Sequence, residues 1–402
     1  MNPIRVIHLS DLHLGFQGPS NLTVPDGPHA GVPLRQHDLE NAVEWLCSNL
    51  VQQPVPVNVV LIAGDVFDRS NPLPRAVHAA GRLIHILTQQ EIEVVVVDGN
   101  HDTPSALSAG HPMAYLALFG AHIVHGEKVQ VIHTDHWKSP HLQHLAVHCI
   151  PRRALKNLDV GEIHPFPDRC NVLLTHGLVA SREDEPGEDG RIPRSLLEQS
   201  WDYIALGDWH GHMHQPVAGI PAYYPGSLER LHFGEAMRHP AQETDPYQVR
   251  GGLDVTLLPE NETQVQSFPY PHARPMYHAQ VEASEMTAED LHARLDVLTQ
   301  DLPAQGLLQV HVMGATQTLK AELNARNLNP IRQRIHRVEL KWHLLHDTVE
   351  QSEQAAQAET LPEQWQAYLQ RHAPDQSWLL QAGLEVLTEA RTRLAQSAEE
   401  HP

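Results

Sequence analysis

The sequence predicts an α/β fold, an α/β sandwich of buried strands faced by helices. Two observations point there. Short β-branched runs alternate with amphipathic helical stretches over the first hundred residues, the rhythm of strands buried beneath helices. The residues with chemistry to offer fall just after each run, and α/β folds place their ligands in loops at the carboxyl ends of strands. Sheet and site therefore support one another.

Taken in order, residues 4–9 read as a buried strand, followed at once by Asp11 and His13. Residues 34–50 read as a helix, 57–63 as a second strand leading into Asp65 and Asp68, and 74–88 as a second helix. A third strand, 92–97, leads into Asn100, His101 and Asp102. From 113 to 150 the pattern weakens into short strands and turns. An apolar strand at 171–174 ends in Thr175-His176-Gly177, and one at 203–206 ends in Gly207-Asp208-Trp209-His210. Between them the Glu-, Asp- and Gly-rich stretch 181–191 reads as a mobile acidic loop. Prolines cluster at 269–275, where a boundary is expected, and a smaller α/β unit follows. In it Thr287 and Asp290 have the capping-box spacing, Leu291, Leu295, Leu298 and Leu302 form a helical stripe, and 307–313 reads as a strand. The stretch 361–396 reads as helical, with Leu380, Leu384, Leu387 and Leu394 on one side. There is no internal repeat.

A chain of 402 residues suits two or three domains, and 41% hydrophobic with 19% charged residues is a globular composition. No apolar run approaches the ~18 residues needed to span a bilayer. Residues 1–15 carry His8, Asp11 and His13 where a signal peptide needs an apolar stretch, and Cys47, Cys149 and Cys170 imply no disulfide framework. A cytoplasmic protein is expected. The net charge, 28 − 49 = −21, argues against a self-sufficient basic surface for nucleic acid. If the substrate is a polyanion, metal ions or a partner must supply much of the attraction. The 31 histidines prove nothing by number; position decides.

Five motifs supply Asp, His and Asn in an order suited to convergence on two metals. Asp11-Leu12-His13 offers a carboxylate and an imidazole that one loop can turn toward one ion. Gly64-Asp65 offers a carboxylate after a glycine that permits a tight turn. Asn100, His101 and Asp102 offer an amide oxygen, an imidazole and a carboxylate; His176 and the Asp208/His210 pair complete the set. Mixed N/O ligation without cysteine suits Mn²⁺, Fe²⁺ or Zn²⁺, and the oxygen-rich share favours Mn²⁺. A bridging carboxylate would hold two such ions ~3.5–4 Å apart.

The strings Ser10-Asp11-Leu12-His13-Leu14-Gly15, Gly64-Asp65-Val66-Phe67-Asp68 and Gly99-Asn100-His101-Asp102 closely resemble the calcineurin-like metallophosphoesterases. With Tyr203-Ile204-Ala205-Leu206-Gly207, the string Pro225-Gly226-Ser227-Leu228-Glu229-Arg230 is similar to the DNA-repair nuclease branch containing SbcD. The resemblance covers residues 4 to about 235. It implies a metallophosphoesterase α/β sandwich at 1–240, a smaller α/β capping domain at 241–345 that contacts DNA, and a helical tail at 346–402 whose leucine stripe either packs within the chain or docks a partner. It further implies that Asp11, His13, Asp65 and His210 hold a first metal, and that Asp65 bridges to a second held with Asn100, His176 and residue 208. His101 would protonate the leaving oxygen or stabilise the phosphate, oriented by Asp102. The implied activity is two-metal exonuclease or endonuclease cleavage of DNA in repair, with an SbcC-like coiled-coil ATPase and a homodimer formed through the nuclease domain.

One departure stands out. The family's last metal motif reads Gly-His-x-His, whereas this chain has Gly207-Asp208-Trp209-His210 and then Gly211-His212-Met213-His214. The Ala205-Leu206-Gly207 lead-in favours Asp208 and His210; the literal match, His212 and His214, needs a four-residue extension. Plainer readings stand beside the sharp ones. Asp68 either touches nucleotide, braces Asp65 or caps a helix, and Asp102 either orients a neighbour or caps a helix before Pro104. The five histidines from His133 to His148 invite a second metal site, but their spacing matches no common ligand pattern, and they read as solvated surface. Ser227 and Arg230 reach phosphate or serve the turn, and Arg152, Arg153 and Lys156 meet DNA or pair on the surface. Two rival functions remain: a phosphodiesterase on nucleotides or other small phosphoesters, and a non-catalytic scaffold for the ATPase.

Overall fold

A computed structural model of the chain describes residues 3–19, 22–106, 110–180, 191–239, 248–258, 262–326 and 328–344. Most of the expected acidic loop (181–190) and the expected helical tail (346–402) lie outside the described residues. The chain divides into two compact units. The larger is Met1–Ala279 with Leu295–Val310 and Leu328–Glu339; the smaller is Gln280–Arg294, His311–Asn327 and Leu340–Pro402.

The larger unit begins with β1 (Ile4–Leu9), α1 (Leu34–Val51), β2 (Val59–Ala63), α2 (Pro74–Gln89) and β3 (Glu93–Val97). The weakly patterned stretch that follows folds as short 3-10 turns around β4 (His122–Val124), β5 (Gln130–His133) and β6 (Leu145–Ile150). Then come β7 (Cys170–His176), α3 (Arg194–Leu197), β8 (Tyr203–Gly207), β9 (Ala222–Tyr223), β10 (Met237–Arg238), β11 (Gly251–Leu257) and β12 (Gln264–Pro269).

These strands form two mixed sheets. The first has the order β12-β11-β1-β2-β3-β4, parallel from β1 to β4 and antiparallel where β11 joins β1 and β12 joins β11. The second has the order β5-β6-β7-β8-β9, parallel except at β5. The period of two explains the layers. Val6, Val59, Leu61, Val95 and Val97 face Val147, Val172, Leu174 and Ala205, so one apolar cluster fills the space between the sheets. The alternate residues Ile7, Leu9, Val60, Ile62, Val94 and Val96 meet Leu39, Val43 and Leu46 of α1 and Leu83, Ile84 and Leu87 of α2. On the far side Leu173, Ile204 and Leu206 pack with Leu196, Leu197 and Trp201. Both faces of the inner strands are covered, so they are apolar throughout and cannot slip register without exposing an entire face. The first sheet extends past residue 240 through β11 and β12, and ends at Pro269 where the prolines gather.

The remaining elements are β13 (Met276–Glu282), α4 (Ala288–Gln300), β14 (Leu307–Ala315), α5 (Gln317–Ala325), α6 (Asn329–Arg334) and β15 (Arg337–Leu344). In the larger unit β10 pairs in parallel with the start of β13. In the smaller unit the start of α4 has the capping box read from sequence. The Asp290 carboxylate accepts the Thr287 N–H at 3.0 Å, and Thr287 Oγ1 accepts the Asp290 N–H at 3.2 Å. Along α4, Leu291, Leu295 and Leu298 are buried. No helix among the described residues is long and apolar enough to cross a membrane.

Candidate metal centre

The site starts with backbone. Past β1 the chain runs beside the loop leaving β2, joined by Asp11 N–H to Gly64 O at 3.1 Å, His13 N–H to Asp65 O at 2.9 Å and Leu14 N–H to Val66 O at 2.9 Å. Asp11, His13 and Asp65 have φ of 54°, 43° and 51°, and Asp208 has 101°. Non-glycine residues in that region are strained by about 1–2 kcal/mol apiece, and such strain gathers where geometry serves function. Gly64 has φ of 78°, and a Cβ there would strike the His176 ring. At Gly207 a Cβ would strike both that ring and the Ala63 carbonyl, so the ends of β2, β7 and β8 meet only because these residues lack side chains.

Five loops then bring their polar side chains together. His13 Nε2 lies 3.6 Å from Asp65 Oδ2, His210 Nε2 lies 3.6 Å from Asp11 Oδ1, and the two imidazole nitrogens are 3.2 Å apart. On the other side His176 Nε2 lies 3.4 Å from Asp65 Oδ2, 3.0 Å from Asn100 Oδ1 and 3.7 Å from Asp208 Oδ1. One carboxylate oxygen, Asp65 Oδ2, thus faces both halves. Among the described residues, three groups of donor atoms are close enough to share an ion: Asp11, His13 and His210; Asp11, Asp65 and His176; and His13, Asp68 and His101.

Electrostatics favour positive charge here. Burial alone would lower the pKa of His176 and His210; the carboxylate of Asp65 beside the first, and those of Asp11 and Glu235 beside the second, push both up to about 10. His13 falls to about 4, chiefly from burial. Despite its burial, Asp65 is held well below the usual carboxylate range by His176 and His13. Buried carboxylates this close together demand cations, whether protons on imidazole or metal ions. The donor set of carboxylates, imidazoles and one amide fits divalent metals of intermediate hardness.

Residues 4–216 match the protein-family model for calcineurin-like phosphoesterase. The chain belongs to that family. The Mre11 "DNA double-strand break repair protein" of Methanopyrus kandleri is 27% identical over 253 residues, covering 58% of this chain and 50% of the relative. Its counterpart in Aeropyrum pernix is 33% identical, covering 56% and 54%. The SbcD subunit of the SbcCD nuclease of Bacillus subtilis is 26% identical, covering 58% and 63%. The chain spans about half the length of the archaeal relatives it matches.

The departure from the phosphoesterase pattern at Gly207-Asp208-Trp209-His210 has a geometric answer. Asp208 and His210 lie in the cluster, and the Asp208 N–H also meets the Asp11 carboxylate at 3.2 Å. Burial, with the charges of Asp11 and Asp65, outweighs His176 and raises the Asp208 pKa. His212 is turned away, with Nδ1 2.8 Å from Pro225 O and Nε2 2.7 Å from Ser267 Oγ. His214 stacks against Tyr224 and packs at a tilt against Trp209.

His101 and Asp102 are related differently from the expectation. The exposed His101 ring is set by the Asp68 carbonyl, 2.7 Å from its Nδ1, while its backbone N–H donates to Asp65 Oδ1 at 2.9 Å. The fully buried Asp102 carboxylate instead accepts N–H bonds from Val66, Phe67 and Gly99. The notion that Asp102 orients the His101 imidazole is therefore corrected: its carboxylate ties the loop after β3 to the loop after β2. Burial first, then Asp65, raise its pKa to about 7 against those three donors. Ser227 and Arg230 are also buried, Ser227 Oγ donating to Glu229 O and Arg230 to the carbonyls of Arg274 and Gln248. Arg153 bonds the Pro104 carbonyl. Of the five histidines from 133 to 148, His136 and His144 are exposed, whereas His148 is buried beside Trp201 and 3.3 Å from Asn171 Oδ1.

Two residues escaped sequence reasoning. Glu235 Oε1 lies 2.8 Å from His210 Nδ1, and its other oxygen pairs with Arg250, which also donates to the His210 carbonyl. This carboxylate presents the Nε2 face of His210 to the cluster, as a carboxylate behind a metal-bound imidazole does.

Proposed function

We propose that the chain hydrolyses phosphodiester bonds in DNA with two divalent ions, Mn²⁺ foremost, as the nuclease component of a DNA-repair assembly in the cytoplasm. The observation that carries the reading is Asp65 Oδ2, placed 3.6 Å from His13 Nε2 and 3.4 Å from His176 Nε2. That position suits a bridging ligand. Asp11, His13, Asp65 and His210 would hold one ion, and Asp65, Asn100, His176 and Asp208 the other. When bound, such a pair neutralises charge on the attacked phosphate and lowers the pKa of water. The chain's own contribution is positional. Asp102 ties the β2 and β3 loops in register, Glu235 orients His210, and the Asp68 carbonyl aims His101. His101 lies beside His13, ring centroids 4.7 Å apart, where its exposed ring can give a proton to the departing oxygen.

The DNA substrate is supported by relatives named as a double-strand break repair protein and as part of the SbcCD nuclease. The same names support a partner resembling the SbcC coiled-coil ATPase, and dimerisation through the nuclease domain belongs to this reading. A partner also explains how a chain of charge −21 engages a polyanion. The part of 241–345 that lies outside β11 and β12 would cap the substrate, and 346–402 would dock the ATPase.

The test is digestion of end-labelled linear DNA with Mn²⁺, with bis-p-nitrophenyl phosphate alongside. Wild type should degrade both and lose both on chelation. His101→Ala should keep its metal while turnover falls by roughly 10²–10⁴, the usual worth of a positioned proton donor. Hydrolysis of the small ester with DNA left intact under all conditions would overturn the nuclease reading.

A further inference from the structure

A cavity opens beside the candidate metal centre within the larger unit, with a volume of about 380 Å³, inside the ~300–1,000 Å³ range of small-molecule sites. Its floor is a satellite apolar cluster in which Leu22, Met276 and Leu307 are buried and Phe233 packs partly exposed. Phe16, leaning on the main core, supplies a second half-buried ring. The cavity shares residues with the site. Asp68 lines it, and the carbonyl of Asp68 aims His101 while its carboxylate lies 3.8 Å from His13 Nδ1. His232 lines it too, 3.4 Å from the Glu235 carboxylate behind His210. Arg69, half exposed, brings a guanidinium to the same lining.

We infer that this cavity receives the unstacked nucleobase of the nucleotide whose phosphate is being cleaved. The inference rests on the nuclease reading and adds to it how the strand is gripped. A strand whose phosphate sits at the cluster brings its nucleotide beside this cavity, through the Asp68 that the two share, and a terminal base that has left the stack gains from an apolar surface. Phe16 and Phe233 provide two rings, and ring faces accept any base because every base has a π-face. Arg69 suits the flanking phosphate. With a net charge of −21, the chain has little general attraction for DNA, so stacking carries a larger share of the grip.

The experiment compares two single-stranded oligonucleotides with the full chain and Mn²⁺, one carrying a normal nucleotide at the cleaved terminus and one an abasic residue there. Wild type should prefer the normal strand in kcat/KM by about tenfold, the scale of one base–aromatic stack. Phe16→Leu and Phe233→Leu keep apolar bulk and remove the rings, and in each the preference should shrink toward one. No preference in wild type, or an undiminished preference in both variants, would overturn the cavity assignment while leaving the nuclease intact. Failure of wild type to cleave either strand, with bis-p-nitrophenyl phosphate still hydrolysed, would remove the DNA reading and this inference with it.

Discussion

Glu235 shows how much of the site depends on a residue that never faces the pocket's centre. Its carboxylate meets His210 Nδ1 on one side and Arg250 on the other, and both partners are buried or nearly so. Glu235→Gln removes the charge with little change in shape. Mn²⁺ affinity, followed by titration calorimetry, should fall by about 10–100-fold, the usual effect of losing such support. Unaltered affinity would mean that Glu235 serves packing only. No sequence signal marked it: it lies 25 residues beyond His210 in an unremarkable Phe233-Gly234-Glu235 turn, and only the fold joins them. The ligand-type residues were legible for the opposite reason. Asp11, Asp65, Asn100, His176 and Asp208 each follow a strong apolar strand signal, so their place at a strand end could be read locally. Asp102 was half legible, because its motif marked it as important but its donors include the amides of Val66 and Phe67, more than thirty residues away.

Among the elements, α1 departs furthest from what periodicity alone describes. Its apolar stripe was readable, yet its N-terminal end buries Arg35, Gln36 and Asp38. Arg35 pairs with Asp38 one turn on and with Glu229 at 2.8 Å, and Arg274 returns to Asp38 at 2.7 Å. The Glu229 and Arg230 of the sequence motif are therefore held in the buried polar packing that fixes α1 against the turn before β10. Removing one member of the ionic network strands the others, so Arg35→Met should cost about 3–5 kcal/mol of unfolding free energy. Urea denaturation would measure it, and a loss under about 1 kcal/mol would show that the network is not structurally important. The sheets themselves were legible because their strands are covered on both faces. The edges of β4, β5 and β9 were not, since short strands of three, four and two residues carry too little pattern.

For the molecule as a whole, the proposed site would set protons and metal ions in competition for the same buried carboxylates and imidazoles. His176 and His210 have folded-state pKa values near 10 against 6.5 when unperturbed. In the metal-free protein their charge contributes stability that is fully present below pH 6.5 and is lost as pH rises through about 10. Metal ligation needs the neutral imidazoles, so Mn²⁺ affinity should climb with pH across that window, and binding at pH 7.5 should release protons. Calorimetry in buffers of different ionisation enthalpy reads that release directly; a buffer-independent heat would contradict it.

At the centre of the proposed chemistry one carboxylate, that of Asp65, would serve two ions. Equilibrium dialysis with elemental analysis, performed on wild type and Asp65→Ala, tests it without reference to any substrate. Two Mn²⁺ per wild-type chain are expected, with none retained by the variant. A variant that still holds two ions, or a wild-type chain that binds no metal, would contradict it.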